Sequence, residues 1–161
     1  MNRFFKTVLL TGLFVGTTDL IAAYVTQWIK TGAFSEKMLL YIAGGALGLE
    51  ASMQGGNGVA FLGLLFHYFI AFAFTLFFFI IFPRLKFLSF NKYLVGMLYG
   101  VFVSEAMSNI ILPLSALPAS PFNLSRALIG WYTLGVVLGI PIVYNAYKYY
   151  GVASTDSSDT P

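Results

Sequence analysis

The sequence predicts an all-α fold: a polytopic membrane bundle of four transmembrane helices, with a short re-entrant or interfacial helix between spans one and two. Three observations carry that prediction. Of 161 residues, 58% are hydrophobic and only 9% are charged, at a mean hydropathy of +0.82, whereas about 25% charged residues is usual in a soluble domain. Four apolar runs are each long enough, at ~1.5 Å of helix rise per residue, to cross a ~30 Å hydrocarbon layer. Between the first two runs lies a fifth that is too short to do so.

Span one is expected at about residues 8–29, an apolar run closed by Lys30 with Tyr24 and Trp28 placed for an aromatic belt. Arg3 and Lys6 ahead of this run have the look of a secretory signal. Asp19 interrupts its core, however, and Ile21-Ala22-Ala23 is a poor cleavage site, so the segment is expected to stay on the protein. Thr31-Gly32 turns the chain. Ser35 is placed to cap a short helix over about 36–50, with Glu36 in its first turn at the positive end of the helix dipole. Its apolar part, Met38 to Leu49, measures only about 18 Å. Tyr41 beside Gly44, Gly45 and Gly48 favours insertion against protein over lying flat on lipid. Gly55-Gly56-Asn57-Gly58 reads as a turn. It lacks the lysine and the preceding strand of a phosphate loop.

Span two is expected at about 59–82. Its Phe77-to-Phe82 run offers neither small nor polar contacts and reads as a lipid-facing surface, and His67 is its one ionisable residue. Pro83 ends it, and Arg84, Lys86 and Lys92 fill a short basic connection. Span three, at about 93–112, is interrupted late by Ser104, Glu105, Ser108 and Asn109, of which Glu105, Ser108 and Asn109 share one helical face. The connection Leu112 to Phe122 is too apolar for an aqueous loop and too rich in proline for a helix, so it should pack on the membrane face. Ser120-Pro121 is a start signal for span four, expected at about 124–144 with a kink at Pro141. Tyr144, Tyr147, Lys148, Tyr149 and Tyr150 mark an interface. Residues 1–152 form a single transmembrane domain, and 153–161 a disordered polar tail.

For four spans, six basic residues (Arg3, Lys6, Arg84, Lys86, Lys92, Lys148) lie on one side and three (Lys30, Lys37, Arg126) on the other, which places both termini in the cytoplasm. A five-span alternative also divides six to three. The length of the short helix decides against it. The net charge of +3 therefore reports topology, and since the 17 Phe and 10 Tyr do not alternate with basic residues, it is no argument for nucleic acid. The chain has no cysteine, hence no disulfide or thiolate metal site.

Asp19 is the costliest residue in the sequence. A carboxylate at that depth costs roughly 2.5–3.5 kcal/mol on insertion scales, and needs a partner, a proton or a water-filled cavity. Asp19 lies thirteen residues from Lys6 and Glu105 thirteen from Lys92, so the two should reach similar depth, with His67 within a turn or two of that level. Joined by Thr17, Thr18, Ser104, Ser108 and Asn109, the three titratable groups have the makings of a proton relay or a proton-coupled carrier site. The plainer reading is that each polar group makes one interhelical hydrogen bond of about 0.6 kcal/mol and only locks the bundle. A divalent metal on Asp19, His67 and Glu105 is chemically reasonable, but no ligand-spacing motif supports it. Haem has neither a second histidine nor an attachment motif, and no cofactor is expected.

Four G-x-x-x-G pairs, Gly12/Gly16, Gly44/Gly48, Gly96/Gly100 and Gly135/Gly139, allow backbones to approach closely. As a set they predict a tight core of spans one, three and four plus the short helix. Span two would then lie at the periphery or at a subunit contact.

Thr18-Asp19-Leu20-Ile21-Ala22-Ala23, Tyr41-Ile42-Ala43-Gly44-Gly45, the stretch Leu62 to Ala71 around His67, and Met107-Ser108-Asn109 running on to Leu112-Pro113-Leu114-Ser115 cover most of the chain outside the tail. In these stretches the chain resembles a group of small, uncharacterised bacterial four-span membrane proteins. The resemblance implies a protein of the bacterial cytoplasmic membrane and brings no activity or site residue with it. The leading functional expectation is a small proton- or cation-linked carrier for an unidentified ion or small molecule, with Asp19 as the site, Glu105 its partner and His67 a relay or ligand. The rivals are a structural or assembly protein, and a metal-dependent intramembrane enzyme acting on lipid. Four spans are few for a transport path, which argues for a homodimer without establishing one.

Overall fold

The computed structural model describes residues 2–32, 35, 37–118 and 121–151. Glu36, Ser120 and the tail 153–161 lie outside them. Among the described residues all regular structure is helical. Four helical stretches, Arg3–Ile29, Asn57–Arg84, Lys92–Leu114 and Leu124–Tyr150, are long and apolar enough to cross a membrane, with a short apolar helix between the first and second. The chain is thus an all-α, multi-pass four-helix bundle whose surroundings are a lipid bilayer.

Helix α1 (Arg3–Thr31) begins on Asn2, whose side chain accepts from the Phe4 N–H, and ends on Gly32, whose φ of 70° lets its N–H bond the Trp28 carbonyl at 2.8 Å. The short helix α2 (Lys37–Leu47) starts on Ser35, whose hydroxyl accepts from the Lys37 N–H. It breaks at Gly48 (φ 83°), and a single turn, α3 (Leu49–Met53), leads to α4 (Asn57–Ile81), which is span two. Asn91 caps α5 (Lys92–Ala106), which continues through a π-helical turn, Met107–Ile111, into α6 (Leu112–Leu114) to complete span three. Asn123, rather than the Ser120-Pro121 pair, supplies the cap of α7 (Leu124–Leu134), accepting from the Arg126 N–H at 2.9 Å. A second π-helical turn, Gly135–Gly139, joins α7 to α8 (Ile140–Tyr150) within span four.

Both π-helical turns end two residues before a proline, Pro113 in one case and Pro141 in the other. Proline has no N–H for the carbonyl four residues back and its ring crowds that carbonyl, so the ladder widens just ahead of it. The kink expected at Pro141 takes this form.

Neighbouring spans run antiparallel and meet at the glycines. Span one approaches span two at Gly12 and Gly16, where an added Cβ would lie 3.3 Å from the Phe72 ring and 2.9 Å from the Tyr68 ring. Spans three and four meet at Gly96 and Gly100 against Gly135, Gly139 and Ile140. A Cβ on Gly96 would stand 2.6 Å from the Ile140 Cα. Helix α2 crosses span two at Gly63, whose missing side chain makes room for the Leu39 carbonyl. The proline-rich connection lies on α2: the Ala116 N–H donates to the Gly45 carbonyl at 2.9 Å, and Leu117 reaches Gly44.

The phenylalanine run of span two turns inward, which corrects the expectation of a lipid-facing surface, although span two as a whole is the least buried of the four. Phe78, Phe79 and Phe82 are 1%, 0% and 5% exposed and form the main core with Val8, Tyr99, Ile142, Val143 and Tyr147. Only Phe77 and Ile80 of that run face outward. Small or slim residues on spans one and four, Val8, Val143 and Ala146, leave the volume these rings occupy. An all-apolar run carries no inside–outside signal because lipid is as apolar as a protein core. Span four likewise runs past Tyr144, because its tyrosines are anchored: Tyr147 donates to the Leu88 carbonyl at 2.9 Å and Tyr150 to the Phe79 carbonyl at 2.7 Å. The Arg3 guanidinium lies 5.6 Å from the centroid of the Tyr149 ring, so both ends of the bundle emerge on one face.

Candidate functional site

Beyond Gly16 the helix contacts become polar. His67 Nε2 lies 2.8 Å from the Gly16 carbonyl, which makes this nitrogen the donor. Thr17 and Tyr68 hydrogen-bond through their hydroxyls at 2.8 Å. Thr18 donates across to the Val137 carbonyl at 3.0 Å, besides bonding within its own helix. That third contact follows from the chain: Val137 is four residues before Pro141, which has no N–H to give it, and the threonine hydroxyl supplies a hydrogen instead. The contacts of Gly16, Thr17 and Thr18 tie span one to spans two and four just below Asp19.

Asp19 lines a cleft of about 580 Å³ between α1, α2 and α7. The cleft opens on the face opposite the termini, where Lys37 and Arg126 stand at its rim. Tyr41, Gln27 and Thr133 add polar groups to its walls. The carboxylate interacts electrostatically with the His67 imidazole. Among the described residues no donor is hydrogen-bonded to it. The Gln27 Oε1 is buried, also without a hydrogen-bond partner among the described residues.

Glu105 belongs to a different contact. Its Oε1 accepts from the Trp131 indole N–H at 2.7 Å and its Oε2 from the Asn109 amide at 2.7 Å, which joins span three to span four. Asn109 also donates to the Glu105 backbone carbonyl. Ser104 is buried beside Gly130, where an added Cβ would meet its hydroxyl at 3.0 Å, and Ser108 is exposed. Thr18 pairs with Val137 and Glu105 with Trp131, six residues apart on span four. At ~1.5 Å per residue that is about 9 Å of depth. The similar depth expected for Asp19 and Glu105 is therefore replaced by an offset, because equal distance from the flanking lysines does not measure depth in tilted helices that start at different levels. Among the described residues no three His, Cys, Asp or Glu side chains come together to hold a metal ion.

Gln27, Thr133 and Trp131 are the residues that reasoning from the sequence passed over, and Arg126 entered it only as a charge that reports topology. The signal for the first was present: Asp19, Ala23, Thr26 and Gln27 recur at helical spacing on one face of span one, so that stripe is small and polar along its outer half. Trp131 left no such mark, since an indole in an apolar helix reads as packing.

No protein-family model, curated protein or solved structure matches the chain.

Proposed function

We propose that this four-span integral membrane protein is a small proton- or cation-linked carrier of the bacterial cytoplasmic membrane, with both termini in the cytoplasm and Asp19 as its site. One observation carries the reading. The Asp19 carboxylate faces a cleft and accepts no hydrogen bond from a described residue, whereas every other polar side chain at this level of span one is bonded to a neighbouring helix or to its own backbone. An intramembrane carboxylate left in that condition takes up a proton or a cation. Lys37 and Arg126 at the rim disfavour a bare metal cation. They suit a proton, or the ammonium of a zwitterion whose acidic group remains at the rim. His67, held through Nε2 by the Gly16 carbonyl, keeps Nδ1 for proton exchange with Asp19. Glu105 has both oxygens occupied and serves as the clamp that holds span three to Trp131 of span four.

The test is proton flux into reconstituted vesicles under an imposed potassium diffusion potential, read with an enclosed pH dye, alone and with small amino acids outside. Asp19→Asn should abolish the flux and Glu105→Gln should leave most of it. Flux unchanged by Asp19→Asn would remove Asp19 from the role. Absence of flux in the wild type favours the second reading, a structural or assembly protein, which has the Glu105 carboxylate bonded through both oxygens to Trp131 and Asn109 in its support.

A further inference from the structure

A second cavity, of about 700 Å³, lies at the other end of the bundle in the seam between spans one and four. Its lining changes character with depth. Arg3 and Lys148 stand at the end where the termini emerge, Thr7 and Asn145 come one turn further in, and Leu10, Phe14 and Ile140 form the inner wall. Leu10 and Phe14 are each 56% exposed, so the groove opens sideways into the surrounding hydrocarbon. From Arg3 to Phe14 the helix rises about 16 Å. Asn145 donates one amide hydrogen to the Pro141 carbonyl, which leaves the second for an acceptor in the groove, while the Thr7 hydroxyl donates to the Arg3 carbonyl. Arg3 is steadied over the Tyr149 ring. Neither Arg3 nor Lys148 makes an ion pair with a described residue.

From this gradient we infer that the seam between spans one and four is a binding site for one anionic phospholipid. The phosphate would sit between Arg3 and Lys148, a glycerol ester carbonyl at the second amide hydrogen of Asn145, and an acyl chain along Leu10, Phe14 and Ile140. Two cations at headgroup level match the charge of an anionic headgroup. The apolar wall below them continues in the direction an acyl chain must take. A soluble phosphate would use the cations and leave the wall idle. The volume lies within the ~300–1,000 Å³ range of small-molecule sites.

The experiment is native mass spectrometry of the full chain, released from mixed micelles of phosphatidylglycerol and phosphatidylcholine with identical acyl chains. The wild type should retain one phosphatidylglycerol in preference to phosphatidylcholine. R3Q/K148Q should weaken that retention roughly 30-fold, about 5-fold per cation removed. K86Q/K92Q removes the same charge from the same face outside the seam and should leave retention unchanged. L10W, which fills the wall while keeping both cations, should also lower it. Equal loss in the two double variants, no preference for phosphatidylglycerol, or displacement of the lipid by soluble glycerol phosphate would each overturn the inference.

Discussion

At the end of the bundle that carries both termini the helices meet ring against ring, while beyond Gly16 the same helices meet hydroxyl against carbonyl. The Phe78 ring lies 4.6 Å from that of Tyr99 with the planes tilted by 59°, and the Phe82 ring lies 5.4 Å from those of both Tyr147 and Tyr150. In the other half Thr18 reaches the Val137 carbonyl, His67 the Gly16 carbonyl and Trp131 the Glu105 carboxylate. The two halves solve one problem by different means. Lipid is as apolar as a phenylalanine core, so helices are held together either by close packing or by polar groups that find each other. The first half closes a ring-packed core and keeps its groove on the outer seam of spans one and four. The second stays open enough to leave a cleft, with one carboxylate in it that has no hydrogen bond from the described protein.

The contrast sets an order for substitutions. Phe79→Ala, in the packed half, should cost the most, about 3–5 kcal/mol, read by reversible unfolding in mixed detergent. A cost near that of an exposed residue would mean that the neighbouring rings close the gap and that this half is not the stable one. Glu105→Gln should cost about 1 kcal/mol, within the range of interhelical hydrogen bonds in membranes. In a Trp28→Phe background, which leaves Trp131 as the single reporter, the indole emission should shift as its carboxylate acceptor is lost. An unmoved spectrum would separate Trp131 from Glu105. Tyr147→Phe removes one hydroxyl bond to Leu88 while keeping the ring, and should cost about 0.6 kcal/mol in the same unfolding assay. The smallest stability change is expected at Asp19→Asn, within about 0.5 kcal/mol in either direction, because its carboxylate gives up no hydrogen bond from a described residue. A loss comparable to Phe79→Ala would make Asp19 an architectural residue and erase the difference between the halves.

Much of the fold was legible in the sequence. Pro141 announced irregular helix where the ladder widens in span four, whereas Pro113, which reads as part of a non-helical connection, lies inside α6, and the caps Asn91 and Asn123 differ from the Ser120-Pro121 start signal that the sequence offers. Three of the four glycine pairs marked close approach but not the partners, whereas Gly48 of the fourth breaks the short helix and meets nothing within 4 Å. Gly12 and Gly16 admit Phe72 and Tyr68 of span two, which brings the phenylalanine run inward instead of leaving it on lipid. The candidate site was legible in its costliest residue alone. Asp19 stood out by its price in hydrocarbon, whereas Gln27 and Thr133 became part of a site only when α2 and α7 closed around them.

The sequence by itself determined the number and place of the membrane-crossing helices, because no apolar run of that length has another way to satisfy its backbone in lipid. It also determined that the fifth run is too short to join them. Tertiary structure decided which phenylalanines face inward, that Glu105 answers to Trp131 rather than to Asp19, and that Asp19 opens onto a cleft. Those choices turn on rotation and register between helices distant in sequence. An apolar surface costs the same against lipid as against protein, so hydrophobic pattern carries no record of them, and only the fit of glycines, rings and hydrogen-bond partners does.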